Sequence, residues 1–315
     1  MGEFELIERF FRRPARRSPL GIGDDCALLQ PAPGMQVAVS CDMLVEGRHF
    51  LSTADPRRLG HKALAVNLSD LAACGAEPLA FTLALALPQA DEAWLAPFAQ
   101  GLLALADEHG CELVGGDTTR GPLTICITVF GEVPQGQVLL RSGARAGDDM
   151  WVSGTVGEAR LALEMIRGTV SIDAAAFEQA RLRMEAPTPR VALGVALRGI
   201  ATAAIDVSDG LYGDLRHVLQ ASNVGARIDA KAALGLLGVP FDNPSALDCV
   251  LGGGDDYEIA FTAPEHRRDD VERAARSVNV RVTRIGRIEA EPGARVVDAQ
   301  GRPVAGRFAS FDHFG

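Results

Sequence analysis

An α/β chain in two domains is what the sequence predicts, on three observations. Strand-like and helix-like segments alternate through both halves, the pattern of layered α/β and α+β folds. The 315 residues exceed one ordinary domain of roughly 100–200 residues. A Gly- and Arg-rich stretch without period, residues 135–149, separates the halves. The boundary is placed at 145, giving domains 1–145 and 146–315.

The elements follow in chain order. Residues 3–12 (EFELIERFFR) read as a short amphipathic helix stopped by Pro14. LGIGDDCALLQ is a Gly-Asp turn entering an apolar segment. VAVSCDML (37–44) has the make-up of a strand. A helix runs from about Pro56 to Cys74 and ends at Gly75. LAFTLALAL (79–87) alternates and stops at Pro88. Residues 91–110 form a helix with an acidic start and a terminal Gly110. CELVGGDTT is a strand edge entering a glycine turn, and LTICITVFGEV (123–133) is a strand. After the boundary come the strand DMWVSG, two helices to about 201, and AIDVSDGL. Then follow the helix YGDLRHVLQAS, the strand ARIDA, GGGDDYEIAFTAP, a helix at 264–277, and VRVTRIGRIE.

Composition narrows the function classes. Hydrophobic residues at 47% and charged residues at 23% suit a soluble globular chain rather than a disordered one. The 41 acids against 31 Lys and Arg give a net charge of −10, which excludes the basic face a nucleic-acid partner needs. Only Lys62 and Lys231 are lysines, so a cation offered to a ligand is almost always a guanidinium. The six cysteines (26, 41, 74, 111, 126, 249) show no C-x-x-C or zinc spacing and read as reduced thiols of a cytoplasmic protein. The apolar stretch 63–87 contains Asn67, Asp70, Glu77 and Pro78, which excludes a membrane span.

Acids concentrate beside Gly or Ser in five segments. These are Gly23-Asp24-Asp25, Ser40-Cys41-Asp42, Gly115-Gly116-Asp117, Asp206-Val207-Ser208-Asp209-Gly210, and Gly252-Gly253-Gly254-Asp255-Asp256. Such pairs also simply build turns. A further acid, Asp70, lies inside the apolar helix ALAVNLSDLAA, with Asn67 and Cys74 on its face. A carboxylate among Ala, Leu and Val needs a partner or a metal. Carboxylates in glycine-rich turns are how proteins hold hard divalent cations such as Mg²⁺, commonly shared with substrate phosphates. The P-loop, protein-kinase and G-x-G-x-x-G signatures are absent, so metals and arginines would have to neutralise phosphates here.

Taken in order, GIGDDCA, SCDMLVEGRHF, HKALAVNLSDLAACGA, VGGDTTRGPL, IDVSDGL and GGGDDYEI closely resemble the thiamine-monophosphate kinase family. That family belongs to an ATP-binding superfamily with aminoimidazole ribonucleotide synthetase and selenophosphate synthetase. The likeness runs from about residue 3 to the terminal FDHF. It implies a two-domain fold whose N-terminal domains pair in a homodimer. It also implies ATP and several Mg²⁺ ions in a cleft between domains, and conversion of thiamine monophosphate to thiamine diphosphate. Carried over by position, it implies Asp25, Asp42, Asp70, Asp117, Asp206 and Asp209 as magnesium ligands, with Ser40 and Cys41 as further metal contacts. Gly116, Asp117, Arg141 and Ser208 fall at nucleotide-contacting positions. His49, Asp255 and Phe311 fall at thiamine-monophosphate-contacting positions. The chain departs from the family at Cys41, where Thr is usual, at Asp255, where Glu is common, and at Phe311, where Tyr is frequent. No acid–base residue is expected, because the nucleophile is itself a phosphate oxygen. The competing readings are a sister synthetase, a metal-dependent phosphatase, and a non-catalytic nucleotide or metal sensor.

Overall fold

The computed structural model describes residues 2–304, 306 and 308. The chain divides into two compact units, residues 1–71 with 76–136 and residues 72–75 with 137–315.

In the first unit, α1 (Glu3–Leu6) runs into a single π-helical stretch, Ile7–Phe11, so the expected ten-residue helix is not one regular element. The remaining elements are β1 (Met35–Val45), α2 (Pro56–Ala73), β2 (Glu77–Leu87), α3 (Glu92–Glu108), β3 (Glu112–Arg120) and β4 (Thr124–Pro134). The sheet order is β1-β4-β2-β3. β4 lies antiparallel to both β1 and β2, and β3 is parallel to β2. The glycine turn expected after CELV is absent. Gly115, Gly116 and Asp117 pair with Thr82, Leu83 and Ala84 inside β3, because β2 supplies a full-length partner that outweighs the local turn preference. Asp91 caps α3 by accepting from the Ala93 N–H at 2.9 Å, as the acidic start predicts. Alternate residues of β2 and β4 are buried, among them Phe81, Leu83, Ile125, Ile127 and Val129.

The second unit contains β5 (Asp149–Ser153), α4 (Glu158–Ile166), α5 (Ala174–Glu185), α6 (Val191–Ala196), β6 (Ala203–Asp206) and α7 (Leu211–Ser222). It continues through β7 (Gly225–Asp229), α8 (Ala230–Leu234), α9 (Ala246–Gly252), β8 (Ile259–Ala263), α10 (Arg268–Ser277), β9 (Val282–Glu289) and β10 (Gly293–Val297). The sheet order is β10-β7-β9-β5-β8-β6, antiparallel except for β10 on β7. Three helices, not two, precede β6. The short α8 and α9 and the edge strand β10 carry no strong sequence period, and β10 exists through its pairing with β7. Met150, Val152, Ile205, Leu215, Ile228, Ala260 and Ile285 form the core between the sheet and α7.

Apart from residues 72–75, the second unit starts at residue 137, upstream of the boundary placed at 145. Hydrogen bonds give the reason. The Leu139 N–H donates to the Cys74 carbonyl at 3.0 Å, and the Ala204 N–H donates to the Leu140 carbonyl at 2.9 Å. The Gly143 and Ala144 N–H groups donate to the Ser222 hydroxyl at 3.1 Å each. The aperiodic Gly/Arg stretch is therefore fastened along the edge of β6 instead of acting as a linker.

Candidate functional site

In the first unit the site residues come from β1 and α2. Side chains alternate along a strand. Ser40 and Asp42 share rows with buried Val129 and Ile127, so they face the core and α2, while Cys41 faces the opposite way. The Ser40 hydroxyl donates to Asp70 Oδ2. β1 is an edge strand, and the Asp42 N–H on its open side donates to Asn67 Oδ1 at 3.1 Å. Asn67 is buried and donates in turn to the Ala63 carbonyl at 3.0 Å. Asn67 and Asp70, three residues apart on α2, thus both reach β1, as their shared face predicts. Asp70 is half-buried and partnered, so the buried carboxylate expected from the sequence is resolved by Ser40.

Cys41 is exposed, and its Sγ lies 3.5 Å from Cys126 Sγ. Burial, with this contact adding to it, pushes the Cys126 thiol up to about 11. The Cys41 side chain therefore cannot join Ser40 and Asp42 on one ion. Only its backbone carbonyl remains as a donor.

Asp117 takes another position. It lies in a row with Ala84, Cys126 and Met43, facing away from α2, on the edge strand opposite β1. Three strand spacings, about 14 Å, separate those edges. Gly116 precedes it at φ +149°, where a Cβ would lie 1.8 Å from the Leu83 carbonyl oxygen. Asp25 lies in an exposed turn, its N–H donating to Asp24 Oδ1 at 2.9 Å. His49 closes the VEGRHF turn by accepting the Val45 N–H on Nδ1 at 2.9 Å. An acceptor Nδ1 places the proton of the neutral imidazole on Nε2.

In the second unit, buried Asp206 ends β6 and the following loop carries half-buried Ser208 and Asp209. This loop is laced to the segment before β8. The Val207 N–H donates to the Glu258 carbonyl (2.8 Å), the Tyr257 N–H to the Val207 carbonyl (2.8 Å) and the Asp255 N–H to the Ser208 carbonyl (2.7 Å). Asp255 and Tyr257 sit at φ +73° and +53°, a left-handed backbone uncommon for such residues. Arg141 is exposed and forms no ion pair among the described residues. Phe311 lies outside the described residues.

Sequence reading missed the groups that hold these loops. Asp256 is fully buried, accepts the Gly157 N–H on both oxygens at 3.0 Å, and is raised well above the usual carboxylate range by burial. Glu258, also fully buried, accepts from Ser153, Arg183 and Arg190. Asp214, in the first turn of α7, accepts from the Ser208, Asp209 and Gly210 N–H groups, and burial, then the Asp209 carboxylate, push it up to about 6. An acid four residues after a glycine at a helix start was the available signal.

Among the described residues, no three His, Cys, Asp or Glu side chains converge on a common point to hold a metal ion. The donors are hard oxygens: Ser40 hydrogen-bonded to Asp70 in the first unit, and in the second Asp206 at the end of β6 with Asp209 in the loop that follows. Each set by itself suits ions shared with waters and substrate phosphates, not ions caged by protein alone.

Comparison with known proteins adds to this geometry. Residues 23–133 match the family model described as AIR synthase related protein, N-terminal domain, and residues 135–299 match its C-terminal domain. The chain is 45% identical to the thiamine-monophosphate kinase of Salmonella typhimurium, an alignment covering 99% of this chain and 98% of that protein. It resembles the crystal structure of thiamine-monophosphate kinase from Stenotrophomonas maltophilia at TM-score 0.85 and 45% identity, covering 96% of each chain. It also resembles AaThiL complexed with AMPPCP and TMP at TM-score 0.77 and 29% identity, covering 90% of this chain and 89% of that one.

Proposed function

Since the chain belongs to the AIR synthase related family and, within it, to the thiamine-monophosphate kinases, we propose that it uses ATP and Mg²⁺ to convert thiamine monophosphate to thiamine diphosphate. The observation that carries this reading is end-to-end similarity to kinases of that name, one of them a relative of known structure with an ATP analogue and TMP bound. The sensor reading loses to it because every acid implied by the six motifs is present, and the sister-synthetase and phosphatase readings lose to the full-length likeness to kinases.

The chemistry is direct. A phosphate monoester has its second pKa near 6, so its oxygen is largely ionised at neutral pH and needs no base. That oxygen forms a bond to the γ-phosphorus as the bond to the β–γ bridging oxygen breaks, and ADP leaves with the bond's electrons. The obstacle is repulsion: two unit charges 4 Å apart cost about 4 kcal/mol at an effective dielectric near 20, and these groups carry more charge. Bound Mg²⁺ supplies charge neutralisation and alignment of the phosphates. The residues proposed to hold the several ions are Asp25, Ser40, Asp42, Asp70, Asp206 and Asp209, with Cys41 through its carbonyl, while Asp117, on the opposite face of the N-terminal sheet, would serve a separate ion. Gly116, Asp117, Arg141 and Ser208 serve the nucleotide. Asp255, Phe311 and the Nε2–H of His49 serve thiamine monophosphate.

The test is a product assay with ATP and thiamine monophosphate, with and without Mg²⁺. Equal amounts of ADP and thiamine diphosphate, only with Mg²⁺, are expected. Free phosphate without thiamine diphosphate would move the chain to the hydrolases.

His49 allows a finer test. In His49→Asn an amide oxygen can still accept the Val45 N–H, but Nε2 is lost. KM for thiamine monophosphate should rise about tenfold, the worth of roughly one hydrogen bond to a charged group, with KM for ATP unchanged. Equal rises in both constants would make His49 a turn-holding residue only.

The second copy of the proposed homodimer covers the outward face of the N-terminal sheet. Val37, Val39 and Met43 are 46%, 59% and 54% exposed on that face, beside Cys41. An apolar stripe of this kind on a sheet is normally covered. Asp117 lies on the same face, where pairing would place it at an interface. Val39→Glu should yield a monomer by light scattering. A dimer undisturbed by that charge would put the interface elsewhere. No helix among the described residues is long and apolar enough to cross a membrane. A cytoplasmic location is part of the proposal.

A further inference from the structure

Asp214 does something that a helix of this kind does not require. It is the fourth residue of α7 and only 4% exposed. One of its oxygens, Oδ2, accepts three N–H groups in succession, from Ser208, Asp209 and Gly210, each at 3.1 Å. A helix start leaves its first N–H groups without intrahelical partners, and the residue just before the helix usually supplies the cap. Here that residue is Gly210, which has no side chain and sits at φ +130°. The acceptor comes from inside the helix and reaches past the helix start to peptides outside it. It also stands near the Asp209 carboxylate, an unfavourable like charge. A serine at the capping position would satisfy a helix start without that cost.

The three peptides gripped are those that carry Ser208 and Asp209 and follow directly on Asp206. The Ser208 carbonyl also takes the Asp255 N–H at 2.7 Å, so the grip extends to the loop bearing Asp255. We propose that Asp214 is a positioning residue for the metal- and nucleotide-binding loop: its carboxylate locks peptides 208–210 so that Asp206, Ser208 and Asp209 are aimed before ligand arrives. This rests on the reading of those three residues given above. Asp214 acts through those peptides.

The experiment uses Asp214→Ala, Asp214→Glu, Asp214→Asn and, as a reference, Asp209→Asn, all in the full chain. The readouts are calorimetric binding of the non-hydrolysable ATP analogue AMPPCP over a Mg²⁺ series, and the thermal midpoint. Residues that orient metal ligands typically change affinity about 10–100-fold when altered, so Asp214→Ala and Asp214→Glu should raise the Mg²⁺ concentration for half-maximal binding by about that factor. Asp214→Glu keeps the charge and moves the oxygen by one methylene, so it should do this near the wild-type midpoint. Asp214→Asn retains an acceptor oxygen and should recover most of the loss. If Asp214→Glu and Asp214→Asn bind with the wild-type Mg²⁺ dependence while Asp209→Asn does not, the positioning role is overturned, even should Asp214→Ala fail to fold. Should Asp209→Asn itself leave the Mg²⁺ dependence unchanged, the loop is not the ligand loop, and the role assigned to Asp214 falls with it.

Discussion

Asp70→Asn is expected to lower turnover by about 100-fold or more while the protein stays folded, on the scale of changes at metal ligands and their supports. The substitution keeps volume and removes charge. An amide oxygen at position 70 still accepts the Ser40 hydroxyl that Asp70 accepts now, so the contact between α2 and β1 survives. The neighbouring tie, Asn67 to the Asp42 N–H, is untouched. What disappears is the negative charge proposed to hold Mg²⁺. The thermal midpoint should move little, and the Mg²⁺ concentration for half-maximal rate should rise steeply. Near-normal turnover would leave Asp70 as a structural partner of Ser40 alone. A fall in midpoint that tracks the fall in rate would say the same.

Gly116→Ala is expected to damage both fold and nucleotide binding. A Cβ there lies 1.8 Å from the Leu83 carbonyl oxygen, a contact that forces β2 and β3 apart. The φ of +149° adds strain for any side chain. Together the collision and the strain should cost about 3 kcal/mol, roughly 10 °C in the midpoint for a unit of this size. Strand separation also moves Asp117, the next residue. KM for ATP should therefore rise in whatever fraction remains folded. A midpoint within a degree of wild type would mean that the β2–β3 pairing is looser than the register Leu83 to Gly116 describes.

The two units differ in how legible they were. Residues 91–110 announce α3 because capping acid, apolar period and terminal glycine agree, and α3 occupies Glu92–Glu108. α8, α9 and β10 do not announce themselves, since five to seven residues hold too little period to outweigh a loop reading. The GGD run misled because glycine beside aspartate is turn chemistry, while pairing with β2 is a tertiary fact.

The same division holds at the site. The sequence by itself determined which acids exist, their order, and the family they resemble. It placed Asn67 and Asp70 on one helix face, since a 3.6-residue period is a local property. Only the tertiary structure decided that Ser40 meets Asp70, that Cys41 turns away from Asp42 toward Cys126, and that Asp117 occupies the far edge and opposite face of the sheet. It also decided that Asp214, Asp256 and Glu258 serve as internal acceptors. The physical reason is that strand order and register bring together residues tens of positions apart, and a buried carboxylate's partner is chosen by that packing rather than by its neighbours in the chain.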